Sequence, residues 1–189
     1  ILGRPLKMPA VDFVESDVDV NGEVTVEVED FAKCPRYTAR VITSVKDGPS
    51  PDFMAKRLEA CGVRSLGLLV DVTNYVMLEL GQPLHAFDAA TLQGDIVVRR
   101  ARAGEKLTTL DGVERDLDPE DVVICDDSGV ISLAGIMGGA TTEVGDATTD
   151  ILLEAATWDP LAVFRGNRRH KLSSEAGKRF ERTVDPAVA

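Results

Sequence analysis

Apolar and polar positions alternate in a way that divides the chain into short strands and a few helices. Val24-Thr25-Val26-Glu27-Val28 alternates with period two, and the β-branched run over 37–45 reads as a second strand. Ser50-Pro51 then opens a helix, with Ser50 as cap and Pro51 at the first helical position, and Gly62 closes it. Within it Phe53, Met54, Leu58 and Cys61 recur at helical spacing and are expected to pack. A second helix is predicted over 71–81, with Asp71 as N-cap, Gly81 as left-handed terminator and Pro83 preventing a restart. Only Thr73, Asn74 and Glu79 are polar in it, so it is expected to be buried all round.

Further strands are expected at 96–100 and 150–156, with two hairpins between them. The first runs over 106–115 with Asp111-Gly112 in a type I′ or closely related turn, and the second over 122–133. Asp159-Pro160 opens a helix to about His170, and Ser173-Ser174-Glu175-Ala176-Gly177 leads to a short helix at Phe180-Glu181-Arg182. The pattern predicts an α+β fold, a compact β-sandwich-like core of short strands flanked by helices. Residues 1–33, which mix Pro, Asp and Gly with the one strand at 24–28, read as the tail of a preceding module and a linker. One domain is expected over 34–189.

Composition narrows the function classes. The chain has 189 residues, 44% hydrophobic and 28% charged, with no apolar run long enough for a bilayer. It begins Ile-Leu-Gly, without a signal peptide, which suits a piece of a longer cytoplasmic protein. Cys34, Cys61 and Cys125 are odd in number and scattered, so neither a zinc spacing nor a disulfide framework can be read from them, and a reducing compartment fits. His85 and His170 are too few for a histidine-rich metal site. A net charge of −11 argues against a general nucleic-acid coat. Between Val163 and Arg182, however, basic residues outnumber acidic ones, and a strip including Arg165, Arg168 and Arg169 could meet one phosphate segment or be a solvated helix face.

Three features suggest chemistry, each with a plainer reading beside it. A buried helix start bearing Thr73 and Asn74, with His85 returning after the helix, could hold a polar ligand; equally, His85 could be a hydrogen-bonded core histidine. The small residues of Ala134-Gly135-Ile136-Met137-Gly138-Gly139 permit close approach to a ligand or another strand, or form a tight packing bend. Glu154 follows three apolar residues on a largely buried strand, so it either pairs with an arginine or awaits a ligand hydroxyl.

Resemblance favours the functional readings. Asp71-Val72-Thr73-Asn74-Tyr75-Val76 and Gly81-Gln82-Pro83-Leu84-His85-Ala86-Phe87-Asp88 resemble the editing region of the beta subunit of bacterial phenylalanyl-tRNA synthetase. Cys34-Pro35-Arg36-Tyr37, the glycine-rich stretch from Leu133 to Gly139, and Phe180-Glu181-Arg182-Thr183-Val184-Asp185-Pro186 agree in order, so the likeness covers most of the chain. It implies hydrolysis of tyrosine wrongly attached to tRNA(Phe). It also implies that Thr73, Asn74, Pro83, His85, Ser174 and Ala176 hold the amino acid and terminal adenosine. Glu154 would accept the phenol, helped by the backbone at Ala134 and Gly135. His85 is the catalytic candidate, orienting or polarising a water. Ser174 and Gly177 stand where many relatives have threonine and serine.

The implied partners are the acceptor end of tRNA(Phe) bearing tyrosine and the alpha subunit of a heterotetramer. This region would need no cofactor or metal, with ATP and magnesium confined to the aminoacylation site elsewhere in the parent enzyme. The competing readings are a non-catalytic module that docks the tRNA acceptor end or braces the synthetase, and a free-standing relative acting on other substrates.

Overall fold

The structure, a computed structural model, describes residues 24–189 together with the isolated positions Gly3, Pro5, Phe13, Val14 and Asp17. Most of the segment expected as a leading tail therefore lies outside the described residues. Ten strands and four α-helices follow in the order β1 (Val26–Val28), β2 (Arg36–Ile42), α1 (Asp52–Ala60), α2 (Leu68–Leu80), β3 (Leu84–Asp88), β4 (Ile96–Arg100), β5 (Lys106–Thr108), β6 (Glu114–Asp116), β7 (Val122–Asp126), β8 (Gly129–Leu133), β9 (Met137–Gly138), β10 (Ile151–Thr157), α3 (Pro160–His170) and α4 (Glu175–Phe180). This is the α+β class that the pattern predicts.

Two sheets carry the fold. One has strand order β1-β4-β7-β8-β9, with β1 parallel to β4 and the remaining pairs antiparallel. The other is antiparallel, in the order β2-β10-β3. Strand β7 lies in the middle of the larger sheet and is buried at every position. The core consists of Phe87, Ile96, Val98, Val123, Ile124, Ile131, Leu133 and Leu152, drawn from both sheets. Covering one such side chain is worth about 1.5–3 kcal/mol.

The helices depart from expectation in instructive ways. Helix α2 starts at Leu68, three residues before the predicted cap, and Gly67 occupies the cap position without a side-chain bond. Asp71 is instead fully buried inside the helix. Its carboxylate accepts Ser50 Oγ at 2.5 Å, Ser65 Oγ at 2.5 Å and the Leu66 amide at 2.9 Å. Ser50 is thereby diverted from capping α1, whose cap position is Pro51. Burial raises the Asp71 pKa, but those hydrogen bonds outweigh it and hold the carboxyl below its ordinary value.

Nor is α2 buried all round. Only Leu69, Asp71 and Met77 are buried, while Leu80 is exposed. Of the residues expected to pack in α1, Leu58 is buried, Met54 is half-buried, and Phe53 and Cys61 are exposed. Gly81 does take the left-handed conformation, with φ 80°, that ends α2. The β5–β6 turn is not type I′, because Gly112 has positive φ and Asp111 does not. A bond from the Gly112 amide to the Thr109 carbonyl makes it a type I turn followed by a left-handed glycine. Asp159 caps α3 as predicted, accepting the Leu161 amide with Pro160 in the first turn.

Candidate functional site

The antiparallel pairing of β3 with β10 sets His85 directly opposite Glu154. Side chains of such a pair emerge on one face of the sheet, so both face the same space. Their position is fixed by the α2–β3 connection. Gly81 turns the chain, and buried Gln82 donates from Nε2 to the Pro83 carbonyl at 2.9 Å and the Ala156 carbonyl at 3.0 Å. The end of the helix is thereby fastened to β10.

Three further walls close the space. Strand β8 supplies Ser132 and Leu133, the turn after it Gly135 and Ile136, β9 Met137 and Gly138, and α4 Ala176 and Phe180. With Pro83, His85 and Glu154 they bound a pocket of about 70 Å³. Glycine is needed at two points of the loop. A Cβ on Gly138 would lie 2.5 Å from His85 Cε1, and one on Gly135, where φ is +68°, would lie 2.6 Å from Trp158 Cδ1. The close packing of this stretch against His85, Trp158 and Phe180 is that of a tight bend.

Electrostatics single out this pocket from larger concavities elsewhere. Burial pushes the Glu154 carboxyl up to about 8, partly opposed by the hydrogen bond from Tyr37 Oη to Oε2 at 3.3 Å. Burial drives the His85 pKa down to about 4. The Tyr37 phenol is itself held well above its ordinary pKa, by burial first and Glu154 second. At neutral pH the site thus presents an uncharged carboxylic acid and an uncharged imidazole. His85 Nε2 is buried with no hydrogen-bond partner among the described residues.

The residues proposed from sequence divide into three groups. Pro83, His85, Gly135, Glu154 and Ala176 line the pocket together. Ala134 is buried behind the loop, beside Trp158 and Val163. Thr73, Asn74 and Ser174 do not line it. The shifted start of α2 puts Thr73 in its second turn, where its hydroxyl donates to the Val70 carbonyl at 2.7 Å. Ser174 caps α4 by accepting the Gly177 amide at 2.9 Å, and donates to the Ile136 carbonyl at 2.8 Å, so it braces the glycine-rich loop. The arginines of α3 lie apart from the pocket. Arg169 is paired with Asp118 and Asp121, Arg165 faces Glu120 at 3.8 Å, and Arg168 lies over the Phe164 ring at 5.0 Å.

Sequence reasoning passed over Tyr37 as a site residue. Its phenol meets Glu154 only because β2 and β10 pair across 117 residues, and no local pattern signals that. Glu154 itself takes neither an arginine nor a lysine among the described residues; its protein partner is a phenol. No cluster of three or more His, Cys, Asp or Glu side chains suited to a metal ion occurs among the described residues.

The profile of the B3/4 domain matches residues 33–189. The chain belongs to the B3/4 domain family. This B3/4 domain is 60% identical over 181 residues to the phenylalanine--tRNA ligase beta subunit of Nocardia farcinica, covering 95% of the chain and 22% of that relative. It is 53% identical over 191 residues to the same subunit of Streptomyces avermitilis, covering 99% of the chain and 23% of the relative. The domain thus spans between a fifth and a quarter of the length of these curated relatives. It also superposes on an N-terminal fragment of the phenylalanyl-tRNA synthetase beta subunit from Pyrococcus horikoshii. The TM-score is 0.54 at 16% identity, covering 82% of this chain and 49% of that one, a likeness of fold. No described helix is long and apolar enough to cross a membrane.

Proposed function

We propose that this B3/4 domain is part of a phenylalanine-tRNA ligase beta subunit and hydrolyses tyrosine misattached to tRNA(Phe). One observation carries the reading: among the described residues, a buried carboxyl without a cationic partner shares one pocket with an unpartnered imidazole nitrogen. A tyrosine phenol can bond to Glu154, as Tyr37 already does. Phenylalanine would leave that group unpaired, at a cost of about 1–3 kcal/mol. A synthetic site that admits phenylalanine rejects an added hydroxyl only about a hundredfold, and a second site requiring that hydroxyl supplies the remaining accuracy.

In the hydrolytic step, water adds to the ester carbonyl, the bond to the ribose oxygen breaks, and that oxygen takes a proton. A histidine with a pKa near 4 is a weak base at neutral pH. His85 therefore acts mainly by orienting the water through Nε2, with the neighbouring ribose hydroxyl assisting proton transfer. The partners are the tRNA acceptor end and the alpha subunit of a cytoplasmic heterotetramer, with ATP used at a separate site.

The test is deacylation of tyrosyl- and phenylalanyl-tRNA(Phe) beside His85→Ala. Preferential loss of tyrosine, slowed at least tenfold in the variant, supports editing. A non-catalytic docking role is favoured by the commitment of the Thr73 and Ser174 hydroxyls to backbone groups. It would be adopted if neither this chain nor a full-length ligase carrying His85→Ala altered tyrosine release relative to its control.

A further inference from the structure

The cations between Val163 and Arg182 do not form one strip. Arg165 and Arg169 turn toward Glu120, Asp118 and Asp121, while Arg179 and Arg182 pair with Glu175 and Glu181. Arg168 and Lys171 have no ion-pair partner among the described residues, and Lys178 holds only the exposed Glu175 at 2.7 Å. These three cations, from α3, its C-terminal cap and α4, converge on a pocket of about 290 Å³ whose wall includes Phe164 and Leu172. Its one acidic lining residue, Glu181, is already bonded to Arg182 at 2.9 Å. Complementing helix dipoles does not require cations from two helices to meet at one concavity.

The chemistry matches a nucleotide. Phosphodiester oxygens suit Arg168, Lys171 and Lys178, and the exposed Phe164 ring, with the Arg168 guanidinium 5.0 Å from its centroid, offers an aromatic and cationic surface to a base. The location matches as well. Helix α4 turns Ala176 and Phe180 toward the Glu154 pocket and Lys178 toward this one, so the two pockets share one wall. An α-helix with its side chains is about 10–12 Å across, a span that a short single strand can bridge.

We propose that the Arg168–Lys171–Lys178 pocket binds a backbone phosphate and base of the single-stranded 3′ end of an RNA, on the far side of α4 from the Glu154 pocket. This rests on the editing reading for the identity of the RNA, but not for the binding itself.

The test is fluorescence anisotropy of the whole chain with a labelled single-stranded RNA of about five nucleotides, titrated at several salt concentrations. Arg168→Gln, Lys171→Gln and Lys178→Gln are each expected to weaken binding several-fold and to flatten the log–log salt slope by about 1. Arg165→Gln, a control on the same helix but outside the pocket, should leave affinity unchanged. The proposal is overturned if the three pocket variants bind like the parent, if Arg165→Gln costs as much as they do, or if inorganic phosphate binds while the RNA does not. Loss of RNA affinity in the pocket variants alongside an inactive parent would retain this site and remove editing. Active editing with unchanged RNA affinity in those variants would do the reverse.

Discussion

His85 and Glu154 are register partners on neighbouring strands, and burial drives their proton affinities in opposite senses, the imidazole to about 4 and the carboxyl to about 8. Two groups that could have formed an ion pair are both kept neutral. A neutral acid can donate a hydrogen bond as well as accept one, so Glu154 can engage a phenol through either role.

Glu154 makes stability depend on pH. Its folded pKa is raised from 4.5, so its contribution is fully present below about 4.5 and is lost as pH rises through about 8. Urea unfolding between pH 6.5 and 8, above the range in which His85 opposes the trend, should show stability declining by up to about 1.4 kcal/mol per pH unit. Glu154→Gln should flatten that decline. Parallel curves for the two proteins would mean that the carboxyl ionises normally.

His85 has the opposite sign. Its folded pKa is depressed from 6.5 to about 4, so its contribution is present above 6.5 and lost as pH falls toward 4. If the neutral imidazole orients the water, deacylation should show no loss of rate between pH 7 and 5.5 attributable to His85. A rate that halves near pH 6.5 in the parent but not in His85→Ala would overturn that assignment.

Gly138→Ala places a Cβ 2.5 Å from His85 Cε1 and 2.8 Å from Nε2, so the imidazole must move. We expect hydrolysis to slow at least tenfold, with about 1–3 kcal/mol of destabilisation. Gly145→Ala, which meets nothing within 4 Å, should leave both unchanged. Equal behaviour of the two variants would show that the loop relaxes freely.

The pocket offers about 70 Å³, less than half the roughly 150 Å³ apolar cavity that accepts benzene, so admitting an aromatic ring requires a lining side chain to move. Half-buried Met137, unbranched and flexible, is best suited to that. Calorimetry should find free L-tyrosine and L-phenylalanine both bound more tightly by Met137→Ala, with the preference for tyrosine reduced. Unchanged affinity for both would exclude Met137 as the residue that yields.

Asp71→Ala would strip the acceptor from Ser50, Ser65 and the Leu66 amide at once. A loss of about 1–3 kcal/mol or more is expected in chemical denaturation. Its depressed pKa also means that the native carboxylate's contribution is lost as pH falls below about 4. A variant as stable as the parent would mean that water replaces the carboxylate without cost.

What the sequence disclosed depended on whether the cause was local. The α3 start was legible because Asp159 and Pro160 act on their own backbone. Glu154 stood out because a carboxylate amid apolar strand residues needs an explanation. Asp71 misled because a capping residue and a buried acceptor look alike until Ser50, from 21 residues earlier, is known to reach it. That ambiguity moved the α2 start by three residues and carried Thr73 and Asn74 into a helix interior. Ser174 was placed at the site through resemblance, yet its hydroxyl braces the loop beside the pocket. Of the basic residues after Val163, charge alone could not distinguish those matched by acids of the β6–β7 connection from those left facing open space.

Strand β10 lies between β2 and β3, and its partners come from far earlier in the chain. During synthesis, Tyr37 and His85 emerge long before the strand that joins them, and α4 closes the pocket later still. Such long-range closure is entropically costly and slow, so the pocket belongs to the last stage of folding. A nascent chain released before α4 would carry the two-sheet core and the His85–Glu154 register, but with the wall that Ala176 and Phe180 supply still missing.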